Sequence, residues 1–184
     1  MRIAVTGIGV VSAIGMNCAE TLQSLLDERS GIGAMRYLRS VHTDLPVGEV
    51  PHSDADLKAL AGVPADEPMP RTSLLGIIAA REALQQAGLN DQMANNLAFI
   101  SGTTVGGMDL TEQHWHDYTK GKSTNTIRLH EAGESTNAIA RHIGSFSFIA
   151  TPSTACSSAL NAIMLGANML RTGQAKAALV GGGG

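Results

Sequence analysis

Only two cysteines occur among the 184 residues, Cys18 and Cys156, and their surroundings differ. Cys156 sits in Thr154-Ala155-Cys156-Ser157-Ser158. A β-leaning run, Phe146–Ala150, precedes it and closes with Thr151-Pro152-Ser153; an apolar helical run from Ser158 to Leu170 follows. This junction puts a thiol at a helix N-terminus, where unpaired N–H groups carry partial positive charge and favour the thiolate. A thiolate there suits covalent nucleophilic catalysis. A free cysteine can equally serve as a small buried hydrophobe, and the residues alone leave both readings of Cys156 open. Cys18, near the start of an ordinary helix, fits the second. Ser157 and Ser158 are candidate helix caps. The run after them is apolar nearly all round, which predicts an interior helix with Cys156 at the floor of a pocket.

Other groups offer less chemistry. Gly7-Ile8-Gly9-Val10-Val11-Ser12 follows a strand-like run, but it lacks the third glycine of a dinucleotide fingerprint and a well-placed acid about 20 residues on, so a tight structural turn is the better reading. His114 and His116 flank Trp115; two residues apart on a helix, they do not converge on one metal. No CxxC or HExxH spacing occurs, and no metal site is expected. The loop Gly102-Thr103-Thr104-Val105-Gly106-Gly107 lacks the Gly-Lys-Ser/Thr ending of a P-loop. It reads better as backbone approaching an active site from the C-terminal end of a strand, where α/β sheets hold their ligands.

The elements that position these residues alternate. Strands are expected at Arg2–Ile8, Leu97–Ser101, Phe146–Ala150 and Ala177–Val180. Helices are expected at Ala19–Asp27, capped by Asn17, and at Asp54–Ala61, Ser73–Ala87, Met108–Tyr118, Ser135–Ile143 and Ser158–Leu170. Ser73–Ala87 is the clearest amphipathic helix: Ile77, Ala80, Leu84 and Ala87 lie opposite Arg81, Glu82, Gln85 and Gln86. Residues 33–70, with five of the six prolines, and residues 119–134 read as irregular. Strand–helix alternation predicts an α/β fold with a largely parallel sheet.

Composition narrows the function. Aromatics are 3% and the net charge is −3, which gives no platform or field for nucleic acid. Neither a signal peptide nor an apolar run of roughly 18 residues is present, so a cytoplasmic protein without a membrane partner is expected. Two cysteines make no disulfide framework, which fits a reducing compartment.

Three stretches occur in a telling order: Ile3-Ala4-Val5-Thr6-Gly7-Ile8-Gly9, the 102–107 loop, and Thr154-Ala155-Cys156-Ser157-Ser158 followed by Leu179-Val180-Gly181-Gly182. Together, over essentially the whole chain, they resemble the N-terminal half of a β-ketoacyl-[acyl-carrier-protein] synthase, a condensing enzyme of the thiolase-like fold. The cysteine motif is especially similar to polyketide-type ketosynthases. The resemblance implies a mixed, mainly parallel sheet with helices on both faces, and residues 1–184 as one N-terminal domain whose C-terminal half is absent. It implies that Cys156 accepts the acyl group, that its backbone N–H forms part of the oxyanion hole, and that Val105, Gly106 and Gly107 line the substrate pocket. No cofactor is implied, because substrates arrive on the phosphopantetheine arm of acyl carrier protein, a partner. The strand Ser145–Ala150 would pair across the axis of a homodimer or heterodimer. In such synthases the second half supplies two catalytic histidines and a lysine; His42, His52, His114, His116, His130 and His142 match none of those motifs. Arg71 alone matches the family's basic carrier-binding patch, beside an acidic Pro64–Pro70. The resemblance leaves two alternatives: a non-catalytic partner similar to chain-length factors, which generally lack the cysteine, and a thiolase-type acyltransferase.

Overall fold

The computed structural model describes residues 2–89, 97–122 and 126–183. Its centre is β1 (Leu97–Gly102), a six-residue strand buried along nearly its whole length. A run of this kind, apolar at successive positions, belongs in the middle of a parallel sheet covered on both faces. β1 pairs in parallel with β2 (Phe148–Ala150) on one side, Phe99 opposite Ile149. On the other side it pairs in parallel with β3 (Ala177–Gly182), Leu97 opposite Ala177 and Gly102 opposite Gly182. All pairings in the described sheet are parallel.

Side chains alternate across this sheet with the strand period of two. Leu97 and Phe99 join one core with Leu74, Ile77 and Leu84 of α3 (Arg71–Gln86) and Ile139 and Ile143 of α5 (Ala132–Ile143). Ala98 and Ile100 face the other way, onto Ala162 and Met169 of α6 (Ser158–Arg171). Helices therefore cover both faces, as expected. Gly166 lets α6 approach closely: a Cβ there would come within 2.5 Å of Val180.

The remaining helices follow their capping signals. Asn17 caps α1 (Cys18–Leu26) by accepting the Glu20 N–H. Ser53 and Asp56 form a reciprocal capping box on α2 (Asp54–Ala61), and Gly62 ends it in the left-handed conformation. α4 covers Met108–Thr119. The expected loop 119–134 is more ordered than its composition suggests: Ile127–His130 is a short 3-10 helix and α5 begins at Ala132, while residues 123–125 lie outside the described part.

The expected first strand does not form. Residues 2–10 are irregular. β3 sits where β1 could take a second partner, and the N-terminal segment runs along α3 instead. The Ile8 and Val10 N–H groups alternate as a strand's would, but they donate to the side chains of Gln86 (2.6 Å) and Glu82 (3.0 Å). Gly7 and Gly9 are required by this route, since a Cβ on either would lie 2.0 or 1.8 Å from a carbonyl oxygen of α3. They mark a close approach of this segment to α3 rather than a tight turn. A cavity of about 60 Å³, lined by Thr6, Gly7, Ala87 and Ala177, separates the segment from β3. Val5 stays 79% exposed.

The polar face of α3 is also less free than its pattern implies. Glu82 accepts the Cys18 N–H as well, at 2.8 Å. Arg81 donates to the carbonyls of Ala61 and His142, tying α2 and α5 to α3.

Within residues 33–50, Glu49 gathers the chain by accepting the N–H groups of Arg36 (2.8 Å), Tyr37 and Leu38. Burial raises its pKa, but the three backbone donors and the charge of Arg71 outweigh that, and the net shift is downward. A carboxylate depressed in the folded state contributes stability above its unfolded pKa and loses it as pH falls through the folded value. Limited proteolysis within residues 36–49 is therefore expected to accelerate on acidification through the carboxylate range. Glu49→Gln should cut faster at neutral pH and show a weaker pH dependence; an unchanged cleavage profile would count against the role of Glu49.

Candidate active site

Cys156 is exposed and lies two residues before the first residue of α6. The turn that presents it is built from its neighbours. Ala155 takes a left-handed φ of 52°, which a residue with a Cβ adopts at a cost. Ser157 stands at the N-cap of α6 but does not cap it; its hydroxyl donates back to the Thr154 carbonyl at 2.7 Å. The Ser158 hydroxyl accepts the Thr154 N–H at 2.9 Å and donates to the Ala155 carbonyl at 2.7 Å. Asn161, one turn into α6, donates to the Thr154 hydroxyl at 2.7 Å.

The strands bring this turn to their C-terminal ends. A Cβ on Gly102 would lie 2.4 Å from the Ser158 backbone, and one on Gly182 would meet Ala159 at 2.9 Å. The last residues of β1 and β3 thus abut the first of α6 with no room for side chains. This is the edge of an α/β sheet at which ligands bind.

The 102–107 loop starts from the same junction. Its Thr103 is 4% exposed; the backbone N–H donates to the Pro152 carbonyl at 3.2 Å, and the hydroxyl accepts the Val105 N–H at 3.3 Å. Val105 is half-buried. Gly106 and Gly107 are buried against the chain at 129–132, where a Cβ would meet the carbonyls of His130 (2.4 Å) and Leu129 (2.0 Å). Both glycines thus serve packing onto the 3-10 helix.

Cys18 behaves as its sequence setting suggests. Its sulfur lies 3.4 Å from the Ile8 carbonyl, and burial, with the Glu82 carboxylate beside it, pushes its pKa up, so it stays a thiol. The histidines are scattered. His142 holds the Ala138 carbonyl and Glu67, and His130 bonds to Thr111. Among the described residues no histidine hydrogen-bonds to Cys156, and no group of three His, Cys, Asp or Glu could hold a metal ion. Arg71 is occupied by Asp54 and the carbonyls of Val50 and His52, which removes it from a free basic patch.

Two expectations at the site need correction. Within residues 1–184 the helix after the cysteine is not interior all round: Leu160, Ile163 and Met164 are 59%, 50% and 55% exposed. Only the stripe carrying Ala162, Gly166 and Met169 meets the sheet, because a helix on one face of a sheet buries one side. Nor do residues 1–184 by themselves put Cys156 at a pocket floor; within them it is exposed. No motif in the sequence points to the Ser158 clamp or the left-handed Ala155, although serine four residues after Thr154 is the spacing that lets a helix's first turn reach back.

Comparison with known proteins agrees with this geometry. The model of the β-ketoacyl synthase N-terminal domain matches residues 1–184. Nodulation protein E of Rhizobium meliloti is 28% identical over 98% of this chain and 46% of its own length. The 3-oxoacyl-[acyl-carrier-protein] synthase 2 of Synechocystis sp. is 28% identical over 98% of this chain and 45% of its own. The solved ishigamide ketosynthase/chain length factor superposes with a TM-score of 0.78 at 27% identity, over 97% of this chain and 46% of that one. The chain therefore spans under half the length of these relatives. Its α/β architecture is thiolase-like. On the family match along its full length, the chain belongs to the β-ketoacyl synthase family, as that family's N-terminal domain.

Proposed function

We propose that this chain is the nucleophile-bearing half of a 3-oxoacyl-[acyl-carrier-protein] synthase, an acyltransferase that extends a carrier-bound acyl chain in fatty-acid or polyketide biosynthesis. The observation that carries this reading is the exposed Cys156 thiol, held on a strained turn at the C-terminal ends of β1 and β3. The thiolate attacks the carbonyl carbon of an acyl thioester on the phosphopantetheine arm of acyl carrier protein. Negative charge gathers on the oxygen, and in this reading the Cys156 N–H donates to it. The carbon–sulfur bond to the arm breaks, the arm leaves as its thiolate and takes a proton from water, and the acyl group remains on Cys156. Malonyl-carrier protein then loses carbon dioxide, its carbanion attacks the acyl-Cys156 carbonyl, and the thiolate is released. Val105 borders the acyl pocket in this reading, with Gly106 and Gly107 setting the loop that holds it. No cofactor of the protein's own enters the reaction. The need for a free thiolate fits a reducing compartment, and we assign the protein to the cytoplasm.

The histidines of the decarboxylation step belong to a second half of similar size, supported by the lengths of the relatives. The apolar faces left open fit such a partner: Leu160, Ile163 and Met164 on α6, and Leu22, Leu25 and Leu26 on α1. Strand β2, at the sheet's edge with Phe148 and Ile149 about 40% exposed, fits pairing with a second subunit, the same chain or a chain-length-factor-like one. Residues 1–184 alone are expected to self-associate, read by sedimentation velocity across concentration. A monomer that melts cooperatively would remove the support for both interfaces.

The direct test incubates the full-length natural protein with radiolabelled acyl-carrier protein and locates the label by peptide mass spectrometry. A thioester on Cys156 is the expected result. A protein that takes up no acyl group, or takes it elsewhere, would leave the non-catalytic partner as the better reading.

A further inference from the structure

Ala155 precedes the nucleophile in a left-handed conformation that its Cβ disfavours, so something must hold it there. The Ser158 side chain grips the chain on both sides of that residue. Its oxygen accepts the N–H of Thr154, just before Ala155, at 2.9 Å, and its proton goes to the carbonyl of Ala155 itself at 2.7 Å. The Ser158 N–H donates to the same carbonyl at 3.2 Å. Ser158 is only 4% exposed, and its backbone is seated against Gly102 of β1, so the clamp is anchored to the sheet. Asn161 and Ser157 steady Thr154 from the side, through its hydroxyl and its carbonyl.

We propose that Ser158 is a positioning residue for the nucleophile: its hydroxyl keeps Ala155 left-handed and thereby aims the thiol and the N–H of Cys156. The proposal rests on the reading of Cys156 as the acyl acceptor. Without the hydroxyl, Ala155 relaxes toward ordinary φ values and swings both groups of Cys156 away from a common target. A small misplacement of this kind lowers the rate of a step without weakening encounter with the substrate.

Transfer of a radiolabelled acyl group from carrier protein to the full-length natural protein tests this. Ser158→Ala is expected to lower the maximal transfer rate by about tenfold or more, with little change in the carrier concentration giving half that rate. Ser158→Thr, which keeps the hydroxyl, should stay within about threefold of the natural rate. The discriminating variant is Ala155→Gly/Ser158→Ala. Glycine takes the left-handed conformation without a Cβ penalty, so the second change should restore about threefold or more of the lost rate. A merely structural loss at Ser158 would not be repaired in this way. The proposal is overturned by a natural rate in Ser158→Ala, or by a double variant no faster than Ser158→Ala. Where Ser158→Ala does not fold, the double variant must fold and transfer within about tenfold of the natural rate, and its failure also overturns the proposal. Cys156→Ala separates the two levels of the argument. If that variant still takes up label, the acyl-acceptor reading fails. If it takes up none while Ser158→Ala works normally, only the clamp fails.

Discussion

Cys156→Ala in the full-length natural protein is expected to lower acyl uptake from carrier protein by about a thousandfold or more, to background. Nothing nearby can substitute. The Ser157 hydroxyl donates to Thr154, and the Ser158 hydroxyl is held between Thr154 and Ala155. The other cysteine, Cys18, has its sulfur against the Ile8 carbonyl and its pKa raised by burial and then by Glu82, so little of it is thiolate. Cys18→Ala should therefore keep near-natural uptake. The pair of variants, compared by gel autoradiography with an unfolding curve for each, distinguishes a lost nucleophile from a lost fold. Label retained at full level in Cys156→Ala would sink the proposed chemistry, while loss of label in Cys18→Ala alone would move the nucleophile to the other end of the chain.

Gly102→Ala should be among the most damaging single-methyl changes in this protein. The added Cβ would lie 2.4 Å from the carbonyl carbon and oxygen of Ser158. Those are backbone atoms at the start of a fourteen-residue helix, and they cannot swing aside as a side-chain tip can. Nor can β1 retreat, since the Gly102 carbonyl accepts the Gly183 N–H and itself lies against Gly182. Overpacking of this kind costs about 3 kcal/mol. In a domain of this size that lowers Tm by roughly 10 °C. Because Ser158 takes the displacement, acyl uptake should fall along with stability. Gly133→Ala is the matched control: its Cβ would meet nothing within 4 Å, in the first turn of α5. That change should be neutral or stabilising by about 0.5–1 kcal/mol, since alanine is the better helix former. Equal melting temperatures for the two variants would show that the β1–α6 junction yields more easily than its backbone contacts imply.

The legible parts of this fold were those governed by neighbours in sequence. Asn17 marks the start of α1, and the spacing of Ile77, Ala80 and Leu84 marks α3; a cap and an apolar stripe both act within a few residues of the chain. Leu97–Ser101 reads as a short apolar strand because both its faces are apolar or small, and the strand observed runs one residue further. Arg2–Ile8 has the same local character, yet it is irregular. Strand formation needs a partner's carbonyl ladder, and the segment meets Glu82 and Gln86 of a helix instead. The apolar circumference of α6 was equally plain, but which stripe meets the sheet depends on where β1 and β3 lie.

At the site, the amino-acid sequence alone determined the candidate: one cysteine between a strand and a helix, with serines after it and a glycine loop upstream in the chain. Covalent chemistry and element order are local properties, and they survive without coordinates. How that cysteine is held follows from the packing of distant segments. The tertiary structure set Ala155 left-handed, closed the Ser158 hydroxyl on both sides of it, and brought Gly102 and Gly182 against the start of α6. It also showed that Gly106, Gly107 and Arg71 are engaged by other parts of the chain. These features depend on which backbones touch across tens of residues, and that is fixed by packing rather than by any residue's own preference.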